Sequence, residues 1–210
     1  MHPGTFFICL RIRYAQGMDL APLLRFSELL GEFSRIERKI YIPGTDRREN
    51  DVEHSFHLAM ITWYLIDSTS LDLDLSRAFR YALAHDLVEI YAGDTDFYSN
   101  DEAHVTSKPA REAAAAARLR EEYPEFPQVH EAIDAYVRKD DRESRFVYAL
   151  DKILPILRNR ENGGREWREK GITLEMLVKR KDGKVAISPE VQPYYDELVA
   201  LLRKEDIMAK

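Results

Sequence analysis

Apolar positions along this chain recur mostly at helical spacing. The first such stretch runs from Leu20 to about Lys39, with Leu23, Leu24, Leu29, Leu30, Phe33 and Ile36 as its apolar positions. Tyr41-Ile42-Pro43-Gly44-Thr45 breaks it, and the basic pair Arg47-Arg48 follows. Asn50 or Asp51 is a good cap for a second helix reaching about Asp67. Asp72 or Asp74 can open a third, which should continue to Tyr91 and stop at Gly93. Ser107-Lys108-Pro109 reads as a cap with proline in the first turn, leading into an alanine-rich helix over 109–122. Further helices are predicted over 127–138 and 141–158, the latter kinked or ended by Pro155. Asn162-Gly163-Gly164 is a break. Helices over 173–181 and 189–204 close the chain, with Lys184 to Ile187 as a short strand or extended strap between them. The pattern predicts an all-α domain, a single bundle of about seven helices.

Three of these helices carry ionisable groups on faces that should be buried. His54, Leu58, Ile61 and Leu65 fall on one stripe of the second helix. In the third, Phe79, Leu83, Asp86 and Ile90 form a stripe, while His85 shares a face with Ala78, Ala82 and Glu89. In the helix over 141–158, Asp151 lies with Val147, Tyr148 and Leu154. A lone buried His or Asp is usually a hydrogen-bonded core residue. Two imidazoles and two carboxylates from three helices suggest something else, because an unpaired buried carboxylate costs several kcal/mol. Together they can share one divalent cation, and imidazole with carboxylate suits Mn, Fe, Co, Ni or Zn, with Mg also open.

Composition narrows the field. The 210 residues are 45% hydrophobic and 32% charged, which places the chain with soluble globular proteins of one domain. Cys9 is the single cysteine, so neither an internal disulfide nor a cysteine-built zinc site can form, and a reducing cytoplasm is the expected compartment. A net charge of -6 argues against a nucleic acid polymer as partner but not against a small phosphorylated molecule. The apolar run Phe6 to Leu10 is too short to span a membrane, and no signal-peptide pattern follows it. Residues 1–17 read as an N-terminal extension to a domain over 18–210 with a helical C-terminal extension.

The order His54, His85-Asp86, Asp151 resembles the H…HD…D arrangement of the HD-superfamily phosphohydrolases. The flanks agree: Glu49-Asn50-Asp51-Val52-Glu53-His54-Ser55, and an HDxxExxxGD string running from His85 to Asp94. They are similar to the branch that holds the bacterial 5′-deoxynucleotidases, over roughly residues 20–160. The resemblance implies a helical HD domain with one metal ion on His54, His85, Asp86 and Asp151. It implies that Glu89 and Asp94 are the two non-ligand acids that assist catalysis, and that homodimers form. Spacing agrees with it: Glu89 rises one turn beyond His85, and Gly93 can turn the chain so that Asp94 faces the site.

The chemistry so implied is release of phosphate from ribo- or deoxyribonucleoside 5′-monophosphates, Glu89 orienting or deprotonating the water and Asp94 meeting the leaving oxygen or a sugar hydroxyl. The substrate phosphate also needs cations, and Arg38, Lys39 and Arg48 are the candidates, with Arg35 and Arg47 beside them. In the deoxynucleotidase branch an arginine followed by tryptophan precedes the first histidine. Here Arg38-Lys39-Ile40-Tyr41 stands there without the tryptophan, which loosens the expectation of deoxyribose. A phosphodiesterase or pyrophosphohydrolase on another nucleotide, and a metal-binding scaffold without activity, remain the alternative readings. His57 is a candidate for supporting the site, His104 and His130 for a second metal, and Trp63 for the core. No phosphate-binding glycine loop or serine-hydrolase motif is present.

Overall fold

The structure, a computed structural model, describes residues 19–94 and 101–209, so the expected extension over 1–17 lies outside the described residues. Helix α1 spans Leu20–Phe33, capped by Asp19, whose carboxylate accepts from the Ala21 N–H at 3.0 Å. It stops well short of Lys39 because Glu37–Tyr41 is a strand, β1, paired antiparallel with β2, Arg48–Asn50. Ile40 and Tyr41 favour extended backbone. The Pro43-Gly44 corner folds the pair into a hairpin, with the Thr45 N–H donating to the Ile42 carbonyl at 3.1 Å. The pairing register shifts within β1, the kind of irregularity that re-aims a side chain. Arg38 comes from this stretch.

Helix α2, Asp51–Ser68, opens directly from β2 on a reciprocal cap. The Asn50 side chain accepts from the Glu53 N–H at 2.9 Å, and the Glu53 carboxylate accepts from the Asn50 N–H at 3.0 Å. The predicted third helix is divided into α3, Leu75–Ala84, and the short α4, Glu89–Ala92. Between them the backbone tightens to three-residue bonds: Glu89 N–H to the Asp86 carbonyl at 2.8 Å, and Leu87 N–H to the Ala84 carbonyl at 3.2 Å.

Helix α5, Glu102–Glu122, begins earlier than predicted because Asp101 rather than Ser107 caps it, and Pro109 lies inside. Helix α6 is Pro127–Arg138. Helix α7, Arg142–Glu161, neither ends nor breaks at Pro155. Its buried face, with Phe146, Val147, Ala149, Leu150 and Leu154 at most 1% exposed, outweighs the one backbone bond that proline removes. After the Gly163-Gly164 break come α8, Arg165–Glu169, α9, Leu174–Val185, and α10, Gln192–Leu202. The strap expected at 184–187 is absorbed by the end of α9 and its cap Ala186.

The fold is all-α around one hairpin, with more helices than predicted because the third divides and α8 forms. Helices α2, α3 and α7 pack against one another, and α7 also meets α6, α9 and α10. The stripe expected to bury Leu83 is corrected: Leu83 is 52% exposed, and α3 buries Ala78, Tyr81 and Ala82 instead, the face that continues to His85. Trp63 is corrected likewise, standing 47% exposed with its ring edge-on to Phe79. No helix of the described residues is long and apolar enough to cross a membrane.

The Gly163-Gly164 turn is pinned from the far end of the chain. Gly164 has φ +72°, and a Cβ there would lie 1.9 Å from the Ile207 carbonyl oxygen. Gly164→Ala therefore has both strained backbone and a backbone clash, and should lower stability by about 3 kcal/mol. A shift of the urea midpoint to lower concentration is the expected result; an unchanged midpoint would show that the turn and the C-terminal tail do not touch.

Candidate metal centre

Four side-chain atoms from α2, the α3–α4 turn and α7 converge. His54 stands in the capped first turn of α2, so Asn50 and Glu53 fix where its ring starts. Its Nε2 lies 3.1 Å from Asp151 Oδ1 and 3.8 Å from Asp86 Oδ2. His85 Nε2 lies 3.0 Å from Asp86 Oδ2 and 3.9 Å from Asp151 Oδ1. Ligands at about 2.1 Å from an octahedral ion are roughly 3.0 Å apart when adjacent and about 4.2 Å when opposite. The spacings match that range.

Protonation suits an ion too. Burial, helped by Arg38, pushes His54 down to about 4, so its imidazole is neutral at pH 7 with a lone pair to give. His85 Nδ1 is 3.0 Å from the Ala82 carbonyl, which fixes it as the donor and leaves Nε2 facing the cluster, buried and without a hydrogen-bond partner. Burial would raise both aspartates, but His85 and Arg38 hold Asp86, and Lys152 and His54 hold Asp151, below the usual carboxylate range. Asp151 is oriented as well: its Oδ2 accepts from Tyr136 Oη at 3.0 Å and from Lys152 Nζ at 2.5 Å, leaving Oδ1 to the site. A buried, unpartnered nitrogen beside ionised carboxylates is the donor set of a divalent ion, and the residues fit one.

The tightened turn adds a carboxyl. Side chains three apart eclipse in such a turn, so Glu89 stacks with Asp86 as well as following His85. Asp51, Asp86 and Glu89 each place an oxygen within 4.8 Å of the others. Arg38 reaches into this group, its Nη1 2.8 Å from Asp86 Oδ2 and 3.1 Å from Asp51 Oδ1. Lys108 of α5 lies 3.3 Å from Glu89. Asp94 follows Gly93, whose φ of +73° turns the chain, and it lines the same small cavity as Arg38, Lys39, Glu89 and Lys108, about 130 Å³.

The fold belongs to a known architecture. The HD domain model matches residues 30–192. The chain belongs to the HD domain family. The 5′-deoxynucleotidase HDDC2 of Mus musculus is 28% identical over 147 residues, 67% of this chain and 70% of its own. The HDDC2 of Homo sapiens is 28% identical over 151 residues, 69% of this chain and 70% of its own. A crystal structure of a predicted metal-dependent phosphohydrolase from Magnetospirillum magnetotacticum is 30% identical, with 91% of this chain and 96% of that one aligned at a TM-score of 0.77. A conserved hypothetical protein from Pyrococcus furiosus, 22% identical with a TM-score of 0.54, shares the fold.

In this HD domain, not every expected residue reaches the site. Arg48 is not among the residues lining the cavity; its guanidinium lies over the Tyr41 ring at 3.5 Å and donates to the Lys39 carbonyl at 2.6 Å. His104 and His130 do not meet as a second pair: His130 Nε2 is 2.8 Å from the Tyr123 carbonyl, and His104 Nε2 is 3.3 Å from Arg111. His57 belongs to neither metal-like group among the described residues. Trp167, by contrast, is 2% exposed and lines the Arg38 cavity. The sequence reading missed Asp51, Lys108, Tyr136 and Lys152. Asp51, taken there only as a helix start, is three residues before His54, the one spacing that could have pointed to it.

Burial, then the charge of Asp86, pushes Glu89 up to about 10 from an ordinary 4.5. Between those values the metal-free folded chain holds a proton that the unfolded chain has lost, so its stability falls as pH rises. Glu89→Gln, which mimics the protonated form, should flatten that slope and make the metal-free protein more stable than the parent at pH 8. Denaturant unfolding at pH 5 and pH 8 measures both; parallel slopes would count against the burial described.

Proposed function

We propose that this chain is a metal-dependent phosphohydrolase releasing orthophosphate from ribo- or deoxyribonucleoside 5′-monophosphates. The observation that carries the reading is the convergence of His54, His85, Asp86 and Asp151 beside buried Glu89 and cationic Arg38. The 5′-deoxynucleotidase relatives and the phosphohydrolase neighbour support it. The four residues would hold one divalent ion. Such an ion supplies a Lewis acid for a phosphoryl oxygen and lowers the pKa of water.

The chain's own groups do the rest. Arg38, with Lys39 and Lys108 on the cavity wall, binds the phosphate oxygens and offsets their charge. Glu89 orients the attacking water and accepts its proton, its carboxylate favoured once positive charge gathers nearby. The water oxygen bonds to phosphorus as the bond from phosphorus to the 5′-oxygen breaks. Asp94, whose pKa burial raises, hands that oxygen a proton. Asp51 acts through Arg38, holding the guanidinium against Asp86.

Metal-stripped protein, given Mn²⁺, Co²⁺, Zn²⁺ or Mg²⁺ and a panel of nucleoside 5′-monophosphates, should release phosphate with at least one ion. Asp86→Ala and His54→Ala should lose both bound metal and activity. Glu89→Gln should keep the metal while kcat falls roughly 10²–10⁴-fold. Silence across the panel with metal demonstrably bound would overturn the monophosphatase reading.

We further propose a cytoplasmic location and a homodimer. Exposed Leu20, Leu23 and Leu24 on α1, with Phe56, Trp63 and Tyr64 on α2, support self-association. Sedimentation should give twice the chain mass of 24.5 kDa, and a monomer at micromolar concentration would sink it.

A further inference from the structure

His54 has a second ring nitrogen that the metal cluster does not use. Its Nε2 faces Asp86 and Asp151, so an ion held on Nε2 leaves the ring proton on Nδ1. That nitrogen is buried and, among the described residues, has no hydrogen-bond partner. A buried N–H left unpaired is costly, and a metal-bound histidine almost always donates its outer N–H to a carboxylate, a carbonyl or water. His85 follows that rule through the Ala82 carbonyl, 3.0 Å from its Nδ1. Of the described carboxylates within 4 Å of His54, the one on the Nδ1 side is Glu49, its Oε2 3.8 Å away.

Glu49 stands on β2 and is 1% exposed. Its two oxygens have different surroundings. Oε1 accepts from Nε and Nη2 of Arg158 on α7, both at 3.3 Å. Oε2 is 3.8 Å from His54 Nδ1 and also 3.8 Å from Arg38 Nε, a second buried donor without a hydrogen-bond partner. Two unpaired donors thus face one carboxylate oxygen, which has lone pairs for both. A bridging water needs its partners roughly 4.5 Å apart, so direct contact is the way to satisfy them. An approach of about 0.8 Å makes each a hydrogen bond. Arg158 anchors the far oxygen and keeps the carboxylate aimed at both.

We infer that Glu49 is a positioning residue of this site: its Oε2 takes the His54 Nδ1–H when a divalent ion is held on Nε2, and the Arg38 Nε–H when a phosphate lies against the guanidinium. The first half rests on the metal centre alone, the second on the phosphohydrolase reading. Through the first contact Glu49 fixes the tautomer and the plane of His54 and makes it a stronger ligand. Through the second it holds the Nε end of a guanidinium whose Nη1 already reaches Asp51 and Asp86. Glu49 itself touches neither ion nor substrate and acts through the two residues it orients. Metal ligand and phosphate ligand thereby share one support, delivered by the hairpin.

Calorimetric titration of the metal-stripped chain with Mn²⁺ tests the first contact. Glu49→Gln keeps the shape and removes the charge, and should bind Mn²⁺ roughly 10–100-fold more weakly than the parent. Arg158→Lys, which disturbs the other oxygen, should stay close to the parent. Parental affinity in Glu49→Gln, or equal losses in the two variants, overturns the role at His54. A measurement on the parent stands even where a variant does not fold: with Zn²⁺ bound, the His54 Nδ1–H proton resonance should appear downfield of the amides, and its absence overturns the contact. With Mn²⁺ saturating, inorganic phosphate should bind about fivefold more weakly to Glu49→Gln, the loss of one hydrogen bond at Arg38. Unchanged phosphate binding overturns that half. A parent that passes the Mn²⁺ and Zn²⁺ tests yet releases phosphate from no nucleotide would uphold Glu49 at the metal and overturn the hydrolase reading instead.

Discussion

Burying Asp86 and Asp151 together with two imidazoles is the constraint around which the domain is arranged. Each carboxylate sits in the junction of α2, α3 and α7, where an isolated charge would cost several kcal/mol. The surroundings meet that cost from every side. Arg38 comes from the hairpin, Lys152 from the position after Asp151, and Tyr136 from α6. His54 is held neutral by burial while Asp86 favours the charged form of His85, and the local backbone is shaped to deliver them. The cap at Asn50 sets the start of α2, and the tightened turn after Ala84 brings His85, Asp86 and Glu89 to one place.

The same constraint explains why Arg38 is shared between two carboxylates. Its guanidinium neutralises Asp51 and Asp86, and it also faces the cavity where a phosphate would lie. On the proposed reading a phosphate would meet a cation already aligned, at no cost in reorganisation. Asp51 and Glu49 hold that alignment, since both carboxylates lie within 4 Å of the guanidinium and are almost fully buried.

Much of this was legible in the sequence. Helical periodicity located α2, α6 and α7 within a few residues, and ionisable groups set among apolar positions pointed to His54, His85, Asp86 and Asp151. The structure brings these together, although the stripe assigned to Asp86 is not the buried one. What stayed hidden had physical reasons. The first part of β1 was read as the end of a helix because Ile36 continues the helical spacing, while strand pairing is a long-range choice that a local pattern does not display. The division of the third helix was invisible because apolar positions continue through Leu87 and Ile90, and the tightening after Ala84 shows only in the backbone hydrogen bonds. Arg48 looked as basic as Arg38, and only the altered register within β1 tells them apart. Lys108 was read only as part of a helix start, because nothing local reveals that α5 packs against α4 and brings its ammonium to Glu89.

The far end of the chain has a further consequence. Ile207 closes on Gly164, and Arg160 grips Glu205 with bonds of 2.6 to 3.1 Å, so the C-terminal tail clasps the end of α7. Between those clasps lies α9, which packs on α7 and yet gives no member of the four-residue cluster. The four clustered groups and the stretch that closes over the end of α7 thus lie in separate parts of one polypeptide. Exchange of the last forty or so residues between such proteins, by recombination or in the laboratory, leaves all four clustered groups in place.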